Sequence, residues 1–304
     1  MRLGWARALW HAAASLPSGG RGGLDRLEIG EFAWRSKRQL EALCRARAQP
    51  VYLGGNEALC RILGRYKMFL DARDSGLGAH LLLDGCWEMG LTRHVARHLR
   101  AGMTAIDIGA NFGYYTILFG ALVGELGHVY AIEPLPPAVA LLRRSLALNG
   151  FFRNVTVIEA AAGAAPGGSL LLHAPDREPK NARIVGSPEA VAAAGGALYE
   201  VPQVQIDALA ARWRHIDFIK IDAEGSEEAI IAGMSALLRR DRPHLVLEFN
   251  AARARDPEAL LATLGAIYER RPRYLDLHGR LRPATAAQLL TEHFGIDWLV
   301  VFSV

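Results

Sequence analysis

The segment that most constrains this chain is Thr104-Ala-Ile-Asp-Ile-Gly-Ala-Asn-Phe-Gly113, which runs directly into the apolar stretch Tyr114 to Val123. A short strand that enters a glycine turn and leaves as a helix brings backbone N–H groups close to any ligand held at the turn. The spacing is Gly-x-x-x-Gly, not the Gly-x-Gly-x-x-Gly that favours a dinucleotide pyrophosphate. Asp107 stands two positions before Gly109 and suits a ligand bearing a positive amino group. A bare Gly-x-x-x-Gly serves packing as readily as binding; Asp107 and Asn111 tip this one toward a ligand loop made of Asp107, Gly109, Ala110, Asn111, Phe112 and Gly113.

From Met103 onward strand and helix patterns alternate, which is the signature of a mostly parallel sheet covered by helices on both faces. Strands are expected at Thr104 to Ile108, His128 to Ile132, Asn154 to Ala160, Ile216 to Asp222 and His244 to Phe249. The expected helices are Tyr114 to Val123, Ala138 to Asn149 and Glu227 to Leu238. Residues 164–197, rich in Gly, Pro and Ala without a sustained period, read as an irregular excursion. The terminal run Asp297 to Val304 reads as an antiparallel strand with its partner within Arg273 to Leu281. Glu133 closes the second strand, 24 residues after Gly109, where Rossmann-type folds place the carboxylate that accepts ribose hydroxyls.

Upstream, the Gly/Ser/Pro cluster Pro17 to Gly23 sets off a short N-terminal piece, and the apolar run that precedes it is broken by Arg7 and His11, against a signal peptide. A helix is expected over Glu31 to Arg47, a hairpin from Tyr66 to Asp71 and His80 to Asp84, and a helix over Leu91 to Leu99. The resulting division is a flexible segment 1–23, a small α+β extension 24–101 and a catalytic α/β domain 102–304. Thirty-five basic against 31 acidic residues, without Lys/Arg blocks, give no nucleic-acid footprint. Cys44, Cys60 and Cys86 lack C-x-x-C spacing, so neither a disulfide framework nor a zinc knuckle is expected and a reducing cytoplasm is the default. No apolar run near the motif is long enough to span a bilayer, and a homo-oligomer is compatible with the composition.

Four ordered motifs resemble the FkbM-type methyltransferase family: Ile106-Asp-Ile-Gly-Ala-Asn-Phe-Gly-Tyr-Tyr-Thr116, Val129-Tyr-Ala-Ile-Glu-Pro134, Ile216-Asp-Phe-Ile-Lys-Ile-Asp-Ala-Glu-Gly225 and Leu245-Val-Leu-Glu-Phe-Asn250. Weaker likeness extends upstream through Gly85-Cys-Trp-Glu88. The resemblance implies a Rossmann-like class I methyltransferase fold, S-adenosylmethionine as methyl donor, and O-methylation of a hydroxyl on a sugar, glycan or other natural product. Ala223 departs from the family, where Val is more frequent, by a small change in volume. An NAD-dependent oxidoreductase and a catalytically inactive cofactor-binding module are the competing classes; the missing dinucleotide spacing and the intact acids argue against them.

In such a fold the fourth strand lies beside the first, so Asp222 and Glu224 are expected at the carboxyl ends of strands, facing the reacting methyl group. Methyl transfer to an alcohol needs an aligned oxygen that loses its proton, and a carboxylate can take that proton. Alternatively Asp222 and Glu224 hold a divalent metal that acidifies the hydroxyl, with no third ligand evident from the sequence. Glu248 and Asn250 end the fifth strand, Glu248 as a further catalytic candidate toward acceptor hydroxyls and Asn250 either as an acceptor contact or simply as the end of the strand. Lys220 inside an apolar strand is expected in a structural ion pair. Trp87 and Glu88 are candidates for the acceptor pocket, with core packing the better reading for Trp87, whereas His173, Arg183 and His244 have no assigned role.

Overall fold

The structure, a computed structural model, describes residues 27–304 apart from 193–194 and 293–294. Segment 1–23, read from sequence as a tether, lies outside the described residues. The strands of the main sheet are β4 (Thr104–Ile108), β5 (His128–Glu133), β6 (Val155–Glu159), β11 (Phe218–Ile221), β12 (His244–Phe249), β13 (Arg273–Leu275), β14 (Leu281–Pro283) and β15 (Trp298–Phe302). Their order is β14-β13-β15-β12-β11-β4-β5-β6. Strands β12, β11, β4, β5 and β6 are mutually parallel, and β15 inserts antiparallel between β12 and β13, as the terminal run predicts. Every residue of β4 and β11 is buried, which explains their mainly apolar character, broken by Thr104, Asp107 and Lys220: a central parallel strand is covered on both faces.

The chain leaves β4 toward β5 and β6 on one side and returns to β11 on the other. That reversal opens a crevice at the carboxyl ends of β4 and β11. Helix α4 (Tyr114–Val123) starts at the glycine turn; nearly all its residues are buried, so it has no polar face to show solvent. Helix α5 (Pro136–Asn149) follows β5 with proline at its first position and Gly150 closing it in a left-handed conformation.

Ahead of the sheet lie α1 (Lys37–Arg47), a three-stranded antiparallel sheet of β1 (Val51–Gly54), β2 (Glu57–Ile62) and β3 (Tyr66–Asp71), and helices α2 (Leu77–Asp84) and α3 (Met89–His98). The structure corrects the expected hairpin here. His80 to Asp84 is helical: Asp74 Oδ1 accepts the N–H groups of Gly76 and Gly78 at 2.9 and 3.1 Å, and Gly85 ends the helix at φ 63°. The partner of β3 is β2, whose alternating burial was masked by Cys60 and Arg61. The helix expected from Glu31 begins only at Lys37, where Ser36 and Gln39 cap it reciprocally; Ile29–Ala33 is a separate 3-10 turn. The extension is docked on α5 by hydrogen bonds from Phe69 N to Ser145 Oγ and from Lys67 N to Asn149 Oδ1, both 3.0 Å. Its apolar residues, Leu40, Ile62, Met68 and Leu81 among them, share one buried cluster with Phe119 and Leu142 of the catalytic half.

Residues 164–197 are also more regular than their composition suggests. Strands β8 (Ser169–Ala174), β9 (Arg183–Val185) and β10 (Ala197–Val204) form a second sheet with β7 (Ala161–Ala162), in the order β7-β10-β8-β9. The single helix expected over Glu227 to Leu238 is two, α7 (Glu227–Ala232) and α8 (Ser235–Asp241). Gly233 separates them where its backbone packs against Gly163; a Cβ there would lie 2.0 Å from the Gly163 carbonyl oxygen.

Candidate active site

A cleft with about 1070 Å³ of empty volume, open solvent at its mouth included, lies over the carboxyl ends of β4, β5, β11 and β12. Its floor exists because Gly109 has no side chain. At φ 75° the backbone turns so tightly that a Cβ would stand 1.7 Å from the carbonyl oxygen of Asp222. The loop therefore lies directly on the end of β11, and Gly109, Ala110 and Asn111 line the cleft.

Glu133 forms one wall of the cleft. Its two oxygens accept the backbone N–H groups of Asn111 and Leu135, at 2.7 and 2.9 Å, so the strand-end acid also fixes the loop's shape. Burial pushes its carboxyl from 4.5 up to about 7 against those two hydrogen bonds. Beside it Ile132, Ala160, Ala161 and Ala162 supply an apolar slot.

Asp222, Glu224 and Glu248 meet on the opposite wall, each offering an oxygen within 4.8 Å of the others. Asp222 Oδ2 takes an ion pair from Lys220 Nζ at 3.0 Å, as the strand-embedded lysine predicts. Lys220 is buried beneath the cleft, 4.9 Å from the centre of the Tyr115 ring. Burial opposes its charge, but Asp222 and Asp107 outweigh that and raise its pKa. Asp222 is held at about 2: burial disfavours its charge, while Lys220 and a hydrogen bond with Glu248 favour it more. Glu248 moves the other way, up to about 11, through burial and the neighbouring Asp222 charge. The pair thus shares one proton at neutral pH, carried by Glu248.

Glu224, in a left-handed conformation at φ 51°, pairs with Arg253, whose guanidinium also binds Asp297 and stands 3.7 Å from Glu248 Oε2. Glu248 supplies the third oxygen ligand that was not evident from sequence, but Lys220 and Arg253 already pair with the carboxylates. Those cations compete with any divalent ion for the three carboxylates. Glu88 faces the same space from the N-terminal extension, accepting the Tyr115 hydroxyl at 2.8 Å, and burial raises its pKa.

Not every expected site residue reaches the cleft. Asp107 is fully buried beneath the loop, where Thr116 Oγ1 donates to its Oδ2 at 2.6 Å and Oδ1 has no hydrogen-bond partner. Phe112 is packed in the core, and Gly113 begins α4 at φ 99° against the Leu142 side chain. These three residues shape the loop from behind and do not line it. Asn250 binds the Gly295 carbonyl and Asp297 instead of facing the cleft. His173 is buried on β8, bonded to the Gly195 carbonyl, and His244 lies at the opposite end of β12. Trp87 and Arg183 do line the cleft, and so does Lys180, which sequence reasoning missed. Arg253 and Asp297 were missed as well: nothing distinguishes Arg253 from Arg255 in sequence, and only the fold brings either residue to Glu224.

The sequence profile of the Methyltransferase FkbM domain matches residues 107–276, more than half of the chain and all four strand-end motifs except the first residue of the first. The chain belongs to the FkbM methyltransferase family. The family is one of methyltransferases, and its match replaces the NAD-linked reading. Among curated relatives it is 40% identical over 60 residues to a protein-L-isoaspartate O-methyltransferase of Methanothrix thermoacetophila, covering 20% of this chain and 28% of that one. It is also 39% identical over 61 residues to a probable cobalt-precorrin-6B C(15)-methyltransferase of Sulfolobus acidocaldarius, covering 20% and 31%. The chain thus spans less than a third of the length of either of these relatives. Solved structures similar to it include methyltransferase FkbM from Methylobacillus flagellatus, at 19% identity and TM-score 0.40 over 66% of this chain and 44% of that one. Fibrillarin of Aeropyrum pernix with natively bound S-adenosyl-L-methionine matches at 15% identity and TM-score 0.40, over 86% and 87%.

The residues present fit S-adenosylmethionine. The side-chain-free floor at Gly109, the buried Glu133 carboxylate and the apolar slot beside it suit a nucleoside, and the carboxylates across the cleft suit a cationic end.

Proposed function

We propose that this methyltransferase is an O-methyltransferase whose acceptor is a hydroxyl of a sugar, glycan or other natural product. The observation that carries this reading is the division of one cleft between two chemistries. Backbone amides, Glu133 and an apolar slot occupy one wall, and Glu88, Asp222, Glu224 and Glu248 occupy the other. A wall of carboxylates recognises hydroxyl donors and offers a proton acceptor.

S-adenosylmethionine would supply an electrophilic methyl group on a sulfonium centre. In this reading Gly109 to Asn111 and Glu133 hold the nucleoside, and Asp107 acts from behind the loop through its hydrogen bond from Thr116 and the field of Lys220. Asp222 stays ionised and orients the acceptor hydroxyl, with Glu248 donating its proton to Asp222 and so unable to serve as base. Glu224, whose pKa is raised by burial and by Asp222, takes the hydroxyl proton. Arg253 fixes the Glu224 side chain. The walls contributed by the N-terminal extension and by β8 to β10 select the acceptor, because additions to a Rossmann core carry specificity.

Calorimetry with S-adenosylhomocysteine followed by a methyl-transfer screen over glycans, free sugars and small alcohols tests the proposal. Transfer to a hydroxyl that disappears in Glu224→Gln while cofactor affinity persists is the expected result. Transfer confined to nitrogen, carbon or carboxyl acceptors would refute the assignment.

A further inference from the structure

Three imidazoles converge at the end of the sheet remote from the cleft. His94 and His98 stand one turn apart on α3, and His244 opens β12. One nitrogen from each lies within 4.8 Å of the other two. The three rings are stacked or tilted against one another with centroids 4.1 to 4.9 Å apart. His94 is only 2% exposed. Four residues along β12 separate His244 from Glu248, roughly 13 Å at about 3.3 Å per residue, so this cluster is distinct from the carboxylates of the cleft.

We propose that His94, His98 and His244 form a binding site for one zinc-class transition-metal ion, which pins α3 to β12. Two histidines at i and i+4 on a helix present their rings to the same side, and a third from a facing strand completes a three-nitrogen set. The tautomers suit this. His98 Nδ1 lies 2.8 Å from the His94 carbonyl oxygen, which can only accept. Nδ1 therefore carries the proton and Nε2 keeps a free lone pair, the outer hydrogen bond that orients metal-binding histidines. His94 Nε2 and His244 Nε2 are 2.8 Å apart in an N–H···N hydrogen bond. Tetrahedral ligands at about 2.0–2.1 Å from zinc stand about 3.3 Å apart, so the two rings need separate by only about half an ångström. Metal entry replaces the bridging proton, which moves to the other nitrogen of its ring or to solvent.

The charged groups facing the cluster are Arg97, Arg100 and Arg273. Burial first, and these cations with the neighbouring imidazoles second, keep His94 and His244 neutral down to about 2 and 3. Neutral imidazole is the form that ligates, and without a carboxylate ligand the site favours zinc, cobalt or nickel over magnesium or calcium. The consequence for the fold is local: α3 begins immediately after Glu88, so an ion at His94 and His98 fixes the helix that carries a cleft residue.

The test uses the full chain, stripped with a chelator and titrated with Co²⁺ for its d–d absorption and with Zn²⁺ by calorimetry and thermal unfolding. One equivalent should bind with a tetrahedral cobalt spectrum, and Zn²⁺ should raise the unfolding midpoint. Glu224→Gln, which breaks the carboxylate cluster, should bind identically. His98→Ala, at the half-buried edge of the cluster, and His244→Asn should lose both the spectrum and the midpoint shift. Absence of one-equivalent binding in the wild-type chain, or its persistence in His98→Ala, overturns the proposal.

Discussion

Glu133 allows the proposed cofactor site to be tested through pH. Both of its oxygens accept backbone N–H groups, a pattern that favours the ionised form, yet burial raises its pKa to about 7. Protonation removes the charge that strengthens both bonds and makes one oxygen a poorer acceptor. In the folded chain, therefore, the loop is held most firmly above about pH 7. If ribose hydroxyls bind the ionised carboxylate alone, affinity scales with the ionised fraction, and binding at pH 6 is about tenfold weaker than at pH 8. The stability sign is opposite: the acid's contribution is fully present below about pH 4.5 and is lost as pH rises through 7, on the order of 3 kcal/mol. Calorimetry with S-adenosylhomocysteine at pH 6, 7 and 8 should show this slope in the wild-type chain. Glu133→Gln should bind more weakly at pH 8, since losing a charged hydrogen bond costs about 1.5–3 kcal/mol or roughly tenfold or more in Kd, and it should show no slope. A flat wild-type profile, or a slope retained in a folded Glu133→Gln protein, would refute the ribose role.

Further outcomes follow from the same geometry. Asp222→Asn and Glu224→Gln should lower turnover by about 10²–10⁴ with little change in S-adenosylhomocysteine affinity, checked once an acceptor is known; near-normal turnover in both would reduce the motif to a turn. Added magnesium or manganese should leave the rate unchanged, because Lys220 and Arg253 already neutralise the carboxylates; activation by either ion would revive the metal mechanism. Gly109→Ala should destabilise the protein by about 1–3 kcal/mol or more and abolish cofactor binding, since the new methyl meets the Asp222 carbonyl; thermal unfolding and calorimetry decide. Deleting Met1 to Gly23 should leave cofactor affinity unchanged.

The core sheet was legible because its strands are buried on both faces, so Ala105 to Ile108 and Phe218 to Ile221 each read as a short, mainly apolar run despite Asp107 and Lys220. Gly109 and Glu133 could be placed because a parallel α/β unit fixes where strand ends fall relative to one another. The extension was harder to read. His80 to Asp84 has an apolar run that suits a strand or a helix equally, and the deciding feature, Asp74 capping Gly76 and Gly78, is a side-chain geometry. Between 164 and 197 the strands are short, and their apolar residues are interrupted by Gly and Pro at bends, so the periodicity is lost although the pairing is regular. Arg253 and Asp297 join the site from segments 44 residues apart, a relation that no spacing rule reaches.

The assignment of roles among the carboxylates also depends on contacts that sequence does not record. By position alone Asp222, Glu224 and Glu248 are interchangeable acids at strand ends. Lys220 distinguishes them: lodged under Asp222 in the same strand, it stabilises that charge, and the charge in turn forces the proton onto Glu248. An acid near 2 is a poor proton acceptor at neutral pH, and one near 11 is already protonated. Of the two acids placed at the reacting centre by sequence, Asp222 is therefore unable to act as base in the proposed reaction, and Glu248 is no substitute for it. Glu224, raised above its ordinary value by burial and Asp222 and partly offset by Arg253, gains basicity without the proton that Glu248 carries. Replacing Lys220 by Met should undo this division, letting Asp222 and Glu248 titrate nearer one another. The pH profile of turnover in that variant, and not its magnitude alone, would then report whether Lys220 sets which carboxylate accepts the proton.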